Sequence, residues 1–165
     1  ASVVVASVVG VPAFGHVVLA VKEAPAGSYY KAVFQVPHGC DGAATIGLRV
    51  TLPEGVVIAK PEPKPGWQLR IEHEPLHEPV VNEGHRLTQR VKSVTWEGGR
   101  LPDEAFDEFV VMTRLPADLG RVSFPVLQVC EDGKQVDWAE EAPSDGSEKP
   151  PAHPAPSVRL VPAPR

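Results

Sequence analysis

From residue 45 to residue 52 the chain alternates without a break. Ile46, Leu48, Val50 and Leu52 take one parity and Thr45, Gly47, Arg49 and Thr51 the other, until Pro53-Glu54-Gly55 ends the run. A period of two suits a strand with one face buried and one face wet, and a helix cannot satisfy it. The same pattern recurs. In 29–36, Tyr30, Ala32, Phe34 and Val36 share a face, with Lys31 and Gln35 opposite, and Trp67, Leu69 and Ile71 alternate with Gln68, Arg70 and Glu72. Shorter runs at 17–21, 56–59, 91–96, 106–114, 122–129 and 135–139 complete the set, while the polar stretch 73–89 reads as a long hairpin excursion. With 19 prolines and 14 glycines punctuating these runs, no window sustains a 3.6-residue period. The pattern predicts an all-β chain, an antiparallel β-sandwich of the immunoglobulin-like kind.

Residues 16–141 are enough for one domain with a real core. Beyond them the composition changes. The segment 142–165 is Pro-rich, mixed in charge and poor in large apolar residues, which predicts a disordered tail or extended spacer. A net charge of −5, with no cluster of Lys or Arg, argues against nucleic acid and against a charged membrane surface. Apart from the first residues, no apolar run approaches the ~20 residues of a membrane helix, so no transmembrane segment is expected in the mature chain.

Residues 1–15 (ASVVVASVVGVPAFG) carry no charge and are mostly Val and Ala. They close on Ala13-Phe14-Gly15, with small residues at the two positions a signal peptidase inspects. This reads as the end of a secretory signal whose removal leaves His16 as a free N-terminus; the competing reading is an apolar first strand. A terminal histidine is a chelator. Its α-amine, with a pKa of roughly 7.7–8.0 when unperturbed, and its ring nitrogen can grip one ion together, and nitrogen ligands favour Cu(II) among the first-row divalent metals.

The two cysteines, Cys40 and Cys130, lack CxxC spacing. In an exported chain they predict a disulfide, with a thiolate metal pair as the alternative. His38 lies beside Cys40 in the loop 37–42, where it can turn to a metal or pack against the sulfurs. His73 and His77 are four apart among Glu72, Glu74 and Glu78, a spacing that shares a face on a strand and offers a second, weaker metal site, although Pro75 lies between them. His85 reads as solvated, and so does His153, with assistance to metal capture as its lesser reading. Trp67, Trp96 and Trp138 suit a core, yet Trp138, on the last strand between Asp137 and Glu140, can also cover a metal held at His16, because first and last strands of a sandwich often run together. No GxSxG elbow, phosphate loop or HExxH is present, so no catalytic activity is expected.

The segments His16-Val17-Val18, Ala24-Pro25-Ala26-Gly27, Lys64-Pro65-Gly66-Trp67, Trp96-Glu97-Gly98-Gly99, Asp107-Glu108-Phe109 and Val136-Asp137-Trp138, in this order and spacing, resemble the YcnI-like family of bacterial copper-binding proteins over residues 15–140. The resemblance implies an exported immunoglobulin-like sandwich that binds Cu(II) and serves copper uptake or homeostasis, periplasmic or secreted. It further implies a single-histidine brace, the amine and ring of the terminal histidine, completed by a glutamate and a nearby tryptophan. The histidine corresponds to His16 and the tryptophan to Trp138. The glutamate has no clean counterpart, which leaves His38, Asp41, Glu23 or Glu140 as third ligand, with His38 favoured. The leading expectation is a Cu(II) store or metallochaperone whose partners are the copper ion and a copper transporter or another copper chaperone. The alternatives are a metal-free module for protein contacts and an oxidative polysaccharide-cleaving copper enzyme, the latter lacking its second brace histidine.

Overall fold

Alternation built the strands where it was continuous, in a computed structural model that describes residues 15–141, 143 and 150–165. The expected leader, apart from Gly15, lies outside the described residues. In chain order the strands are β1 (Val18–Leu19), β2 (Glu23–Pro25), β3 (Tyr29–Val36), β4 (Thr45–Thr51), β5 (Ala59–Pro61), β6 (Gln68–Asn82), β7 (His85–Leu101), β8 (Asp107–Arg114), β9 (Gly120–Ser123), β10 (Val126–Cys130), β11 (Gln135–Trp138) and β12 (Ser157–Val161). One sheet runs β1-β3-β8-β5 and a second β11-β10-β4-β7-β6, and a small third sheet is ordered β2-β12-β9.

The two larger sheets bury their apolar faces against each other. Phe34, Phe109 and Val111 of the first meet Leu48, Val50, Val94, Trp96 and Val126 of the second in one core. Trp96 stacks edge-on against Phe109 with ring centroids 5.4 Å apart, and its indole N–H donates to the Glu62 carbonyl at 3.0 Å, which satisfies the one polar atom that burial would otherwise strand. Fully burying a side chain of this size stabilises the fold by roughly 1.5–3 kcal/mol. At the start of β3, burial pushes the Tyr30 phenol up to about 12, while its hydroxyl donates to the Val21 carbonyl.

Three departures from the pattern position the site. The first lies in β4, where the partners of Val129 and Cys130 are Gly47 and Thr45, so Ile46 is an extra residue and the strand bulges. Ile46 is therefore only half-buried and Thr45 is fully buried, the reverse of the expected parity. The second is the expected strand 122–129, which divides. Pro125 has no N–H to give a ladder, and the chain changes sheet there: β9 joins β12 while β10 stays beside β4.

The third is the tail. The expected disordered tail or extended spacer from 142 onward does not hold at its end, where Ser157–Val161 forms β12 between β2 (parallel) and β9 (antiparallel). Its own Val158 and Leu160 are buried. Prolines dominate the composition around this strand, but Val158-Arg159-Leu160 still alternates, and the edges of β2 and β9 supply the unpaired main-chain groups it needs. The cysteines are joined, Cys40 to Cys130, with S–S 2.07 Å. The thiolate-pair alternative falls, and the loop 37–42 is tied to the end of β10.

Candidate functional site

The site grows from the end of β11. Register places Trp138 opposite Val126 and Val136 opposite Gln128, and Trp138 is buried, 3 % exposed. An indole N–H only donates, so it needs an acceptor inside the protein. Gln128 provides it: Trp138 Nε1 donates to Gln128 Oε1 at 3.0 Å. The other end of the same amide donates twice, from Nε2 to the His38 carbonyl at 2.8 Å and to Thr45 Oγ1 at 2.8 Å. Gln128 is wholly buried, and its three partners come from β11, from the 37–42 loop and from the bulge of β4. The bulge matters here, since it turns Thr45 inward. Such a network is stable only when every member is satisfied, and these are.

The loop carrying His38 is held on several sides. The disulfide anchors it at Cys40, and the Gly39 N–H donates to Asp103 Oδ1 at 2.9 Å. A Cβ at Gly39 would lie 1.8 Å from the Ala43 carbonyl oxygen, so this turn requires glycine. His38 Nδ1 lies 2.5 Å from the Gly39 carbonyl oxygen, which makes that nitrogen the protonated one. The remaining nitrogen, Nε2, is turned towards Gly15, 3.7 Å from where a Cβ on that residue would stand.

His16 enters from β1. Buried Val17 and Leu19 lock the start of the chain against the core, with Val18 opposite Gln35 and Leu19 opposite Phe34. The His16 ring, half-buried, lies 5.5 Å from the Trp138 ring. A cavity of about 490 Å³ opens between these parts, lined by His16, His38, Asp41, Lys134, Trp138 and His153 among others. Lys134 bridges its rim by donating to the Asp41 carbonyl at 3.2 Å.

Of the expected site residues, His16, His38, Asp41 and Trp138 thus share one cavity. Glu140 does not line it. Its Oε1 accepts from the His153 main-chain N–H at 3.1 Å and lies 3.4 Å from His153 Nδ1. Glu23 is paired with Arg159 on the third sheet. The second, weaker site expected at His73 and His77 gains no support from the fold. Both are exposed on β6, whose register against β7 is broken between Pro75 and Val80. Among the described residues no three His, Cys, Asp or Glu side chains converge as a metal-holding group.

Two residues of the site, Gln128 and Thr45, were not anticipated. Gln128 had a faint signal, a polar residue on the same strand parity as Val126 and Cys130. Thr45 had none, because a bulge leaves no mark on alternation. His153, exposed as expected, also packs its ring 5.4 Å from Trp138. Chemically, an open pocket with three imidazoles at its edge and an indole behind them suits a borderline cation that prefers nitrogen.

A family model described as a domain of unknown function, DUF1775, matches residues 16–160. A search among curated proteins finds no match. Among solved structures, a protein from Nocardia farcinica described as uncharacterized and as revealing an immunoglobulin-like fold is similar at 36% identity and TM-score 0.66, over 88% of this chain and 98% of that one.

Proposed function

The chain belongs to the DUF1775 family, and from that premise we propose that it is an exported Cu(II)-binding protein of the YcnI-like kind. It takes copper through the amine and imidazole of His16 once that residue is a free N-terminus, then stores the ion or passes it to a copper transporter or another copper chaperone. No catalytic step is involved. The observation that carries the reading is the His16 ring 5.5 Å from buried Trp138, at the edge of the cavity that His38 also lines. With Gly15 attached, the His16 nitrogen is an amide without a lone pair to offer; with Gly15 removed it is an amine beside an imidazole. His38 Nε2, aimed at the same place, serves as third nitrogen. Trp138 walls the site on the protein side and keeps water from one flank of the ion. The family match beginning at His16 and the Cys40–Cys130 disulfide, a bond favoured in oxidising compartments, support export to the periplasm or beyond.

The test is Cu(II) titration of two chains, one starting at His16 and one retaining Gly15. Losing a first ligand should cost more than the 10–100-fold typical of an outer partner, so the Gly15 form is expected to bind at least roughly 100-fold more weakly. Equal affinities sink the reading.

A second reading, a metal-free module for protein contacts, has one observation in its favour. Phe106, 59% exposed, lines a neighbouring cavity with His16 and Pro37. Partner binding that survives both His16→Ala and a chelator is its signature.

A further inference from the structure

We infer that His153 is a ligand of this metal site and that Glu140 is the residue that positions it, an inference that rests on the copper reading above. His153 belongs to the segment that returns to β11 from far along the chain, and its main chain is held in place. Glu140 N–H donates to the His153 carbonyl at 3.0 Å and Ala155 N–H to the Glu140 carbonyl at 2.9 Å, while His153 N–H donates to Glu140 Oε1 at 3.1 Å. Downstream, buried Val158 and Leu160 fasten the segment to the core through β12. The backbone is therefore fixed while the side chain, 50% exposed, retains room to turn.

The ring is also prepared. Glu140 Oε1 lies 3.4 Å from His153 Nδ1, from where a small turn of the ring makes the carboxylate-to-imidazole hydrogen bond that orients metal-bound histidines. A carboxylate at Nδ1 favours the proton there and leaves the Nε2 lone pair free. His153 and His16 both pack on Trp138, at 5.4 and 5.5 Å between ring centroids, and both line the same cavity. The imidazoles do not converge with a third ligating side chain in this geometry, so binding draws a ring inward, and half-exposed His153 on its anchored strap is the one placed to swing. Glu140, a candidate ligand from the sequence, acts instead through His153. A surface ion pair between these two would be worth little by itself and would leave copper binding untouched, which separates the two roles.

The experiment uses the chain beginning at His16, loaded with one equivalent of Cu(II). Affinity is measured by competition and coordinated imidazoles are counted by pulsed electron paramagnetic resonance. His153→Gln is expected to weaken binding about 10–100-fold and to lower the imidazole count by one; Glu140→Gln is expected to weaken it several-fold with the count unchanged. Unchanged affinity and count in His153→Gln overturn the inference while leaving the His16 reading intact. A wild-type chain that does not bind Cu(II) overturns both. A check that does not need the His153 variant is His38→Gln, which should retain two imidazoles, those of His16 and His153; a single one refutes the assignment.

Discussion

The six histidines of this chain divide evenly between two regions that treat them in opposite ways. His16, His38 and His153 come from β1, from the loop before β4 and from the returning segment beyond β11, and they meet around one cavity. His73, His77 and His85 lie within a single hairpin, exposed to solvent. The hairpin is long and regular at its tip, where Glu83 and Gly84 both take positive φ, 49° and 80°, as a two-residue turn between strands requires. Its outer strand β6 ends the sheet and carries Pro75, Pro79 and many charges, a composition that discourages further pairing. Its base is engaged with the core, where Arg90 donates to Glu74 Oε1 at 2.8 Å and to the Pro53 carbonyl at 2.9 Å, and its tip is tied back to the other sheet, where Arg114 donates to Asn82 Oδ1 and the Tyr29 hydroxyl to Glu83 Oε1 at 3.0 Å. The cavity region has what the hairpin lacks, a disulfide and a buried amide that fix three separate segments relative to one another. Proximity in sequence is thus a poor guide to which imidazoles gather. A rigid buried shell is the better one.

That contrast can be broken or sharpened by three measurements. The largest effect is expected at the disulfide, which closes a loop with a sequence separation of 90. Replacing both cysteines by alanine should destabilise the fold by about 4–5 kcal/mol in the chain-entropy model and weaken Cu(II) binding, since His38 loses its anchor. Denaturant unfolding together with copper competition reads both; a loss of stability with copper affinity intact would show that His38 needs no anchoring.

Next comes Gln128→Leu, which leaves the Trp138 indole N–H, the His38 carbonyl and Thr45 Oγ1 without their partner. The expected cost is about 2–3 kcal/mol, with a change in tryptophan emission and weaker copper binding. A near-neutral result would mean that water or rotation of Thr45 replaces the amide. The smallest effect is expected on the hairpin. Changing His73, His77 and His85 together to Asn should move stability by no more than about 0.5 kcal/mol and leave Cu(II) affinity where it was. A tenfold loss there would erase the distinction between the two regions.

Several parts of this picture are readable from residues alone. Tyr30, Ala32, Phe34 and Val36 announce an inward face and are buried, and the excursion at 73–89 is the hairpin of β6 and β7. The pairing of Cys40 with Cys130 follows from there being two cysteines without metal spacing. The parity of β4 is not readable, because Ile46 differs from its neighbours only in being unpaired. Nor is β12, since a five-residue alternation is swamped by the prolines before and after it when composition is averaged.

Alternating polarity, carried by neighbours two apart, is a local property, and by itself it determined that this chain forms strands, that they stack as a sandwich, and that His16 stands just ahead of the first. The grouping of His16 with His38, Trp138 and His153, the inward turn of Thr45 and the work of Gln128 were decided only by the tertiary structure. Each depends on contacts between segments far apart in the chain, such as the Gln128 amide and the His38 carbonyl 90 residues from it, and no periodicity records which buried group will find which partner.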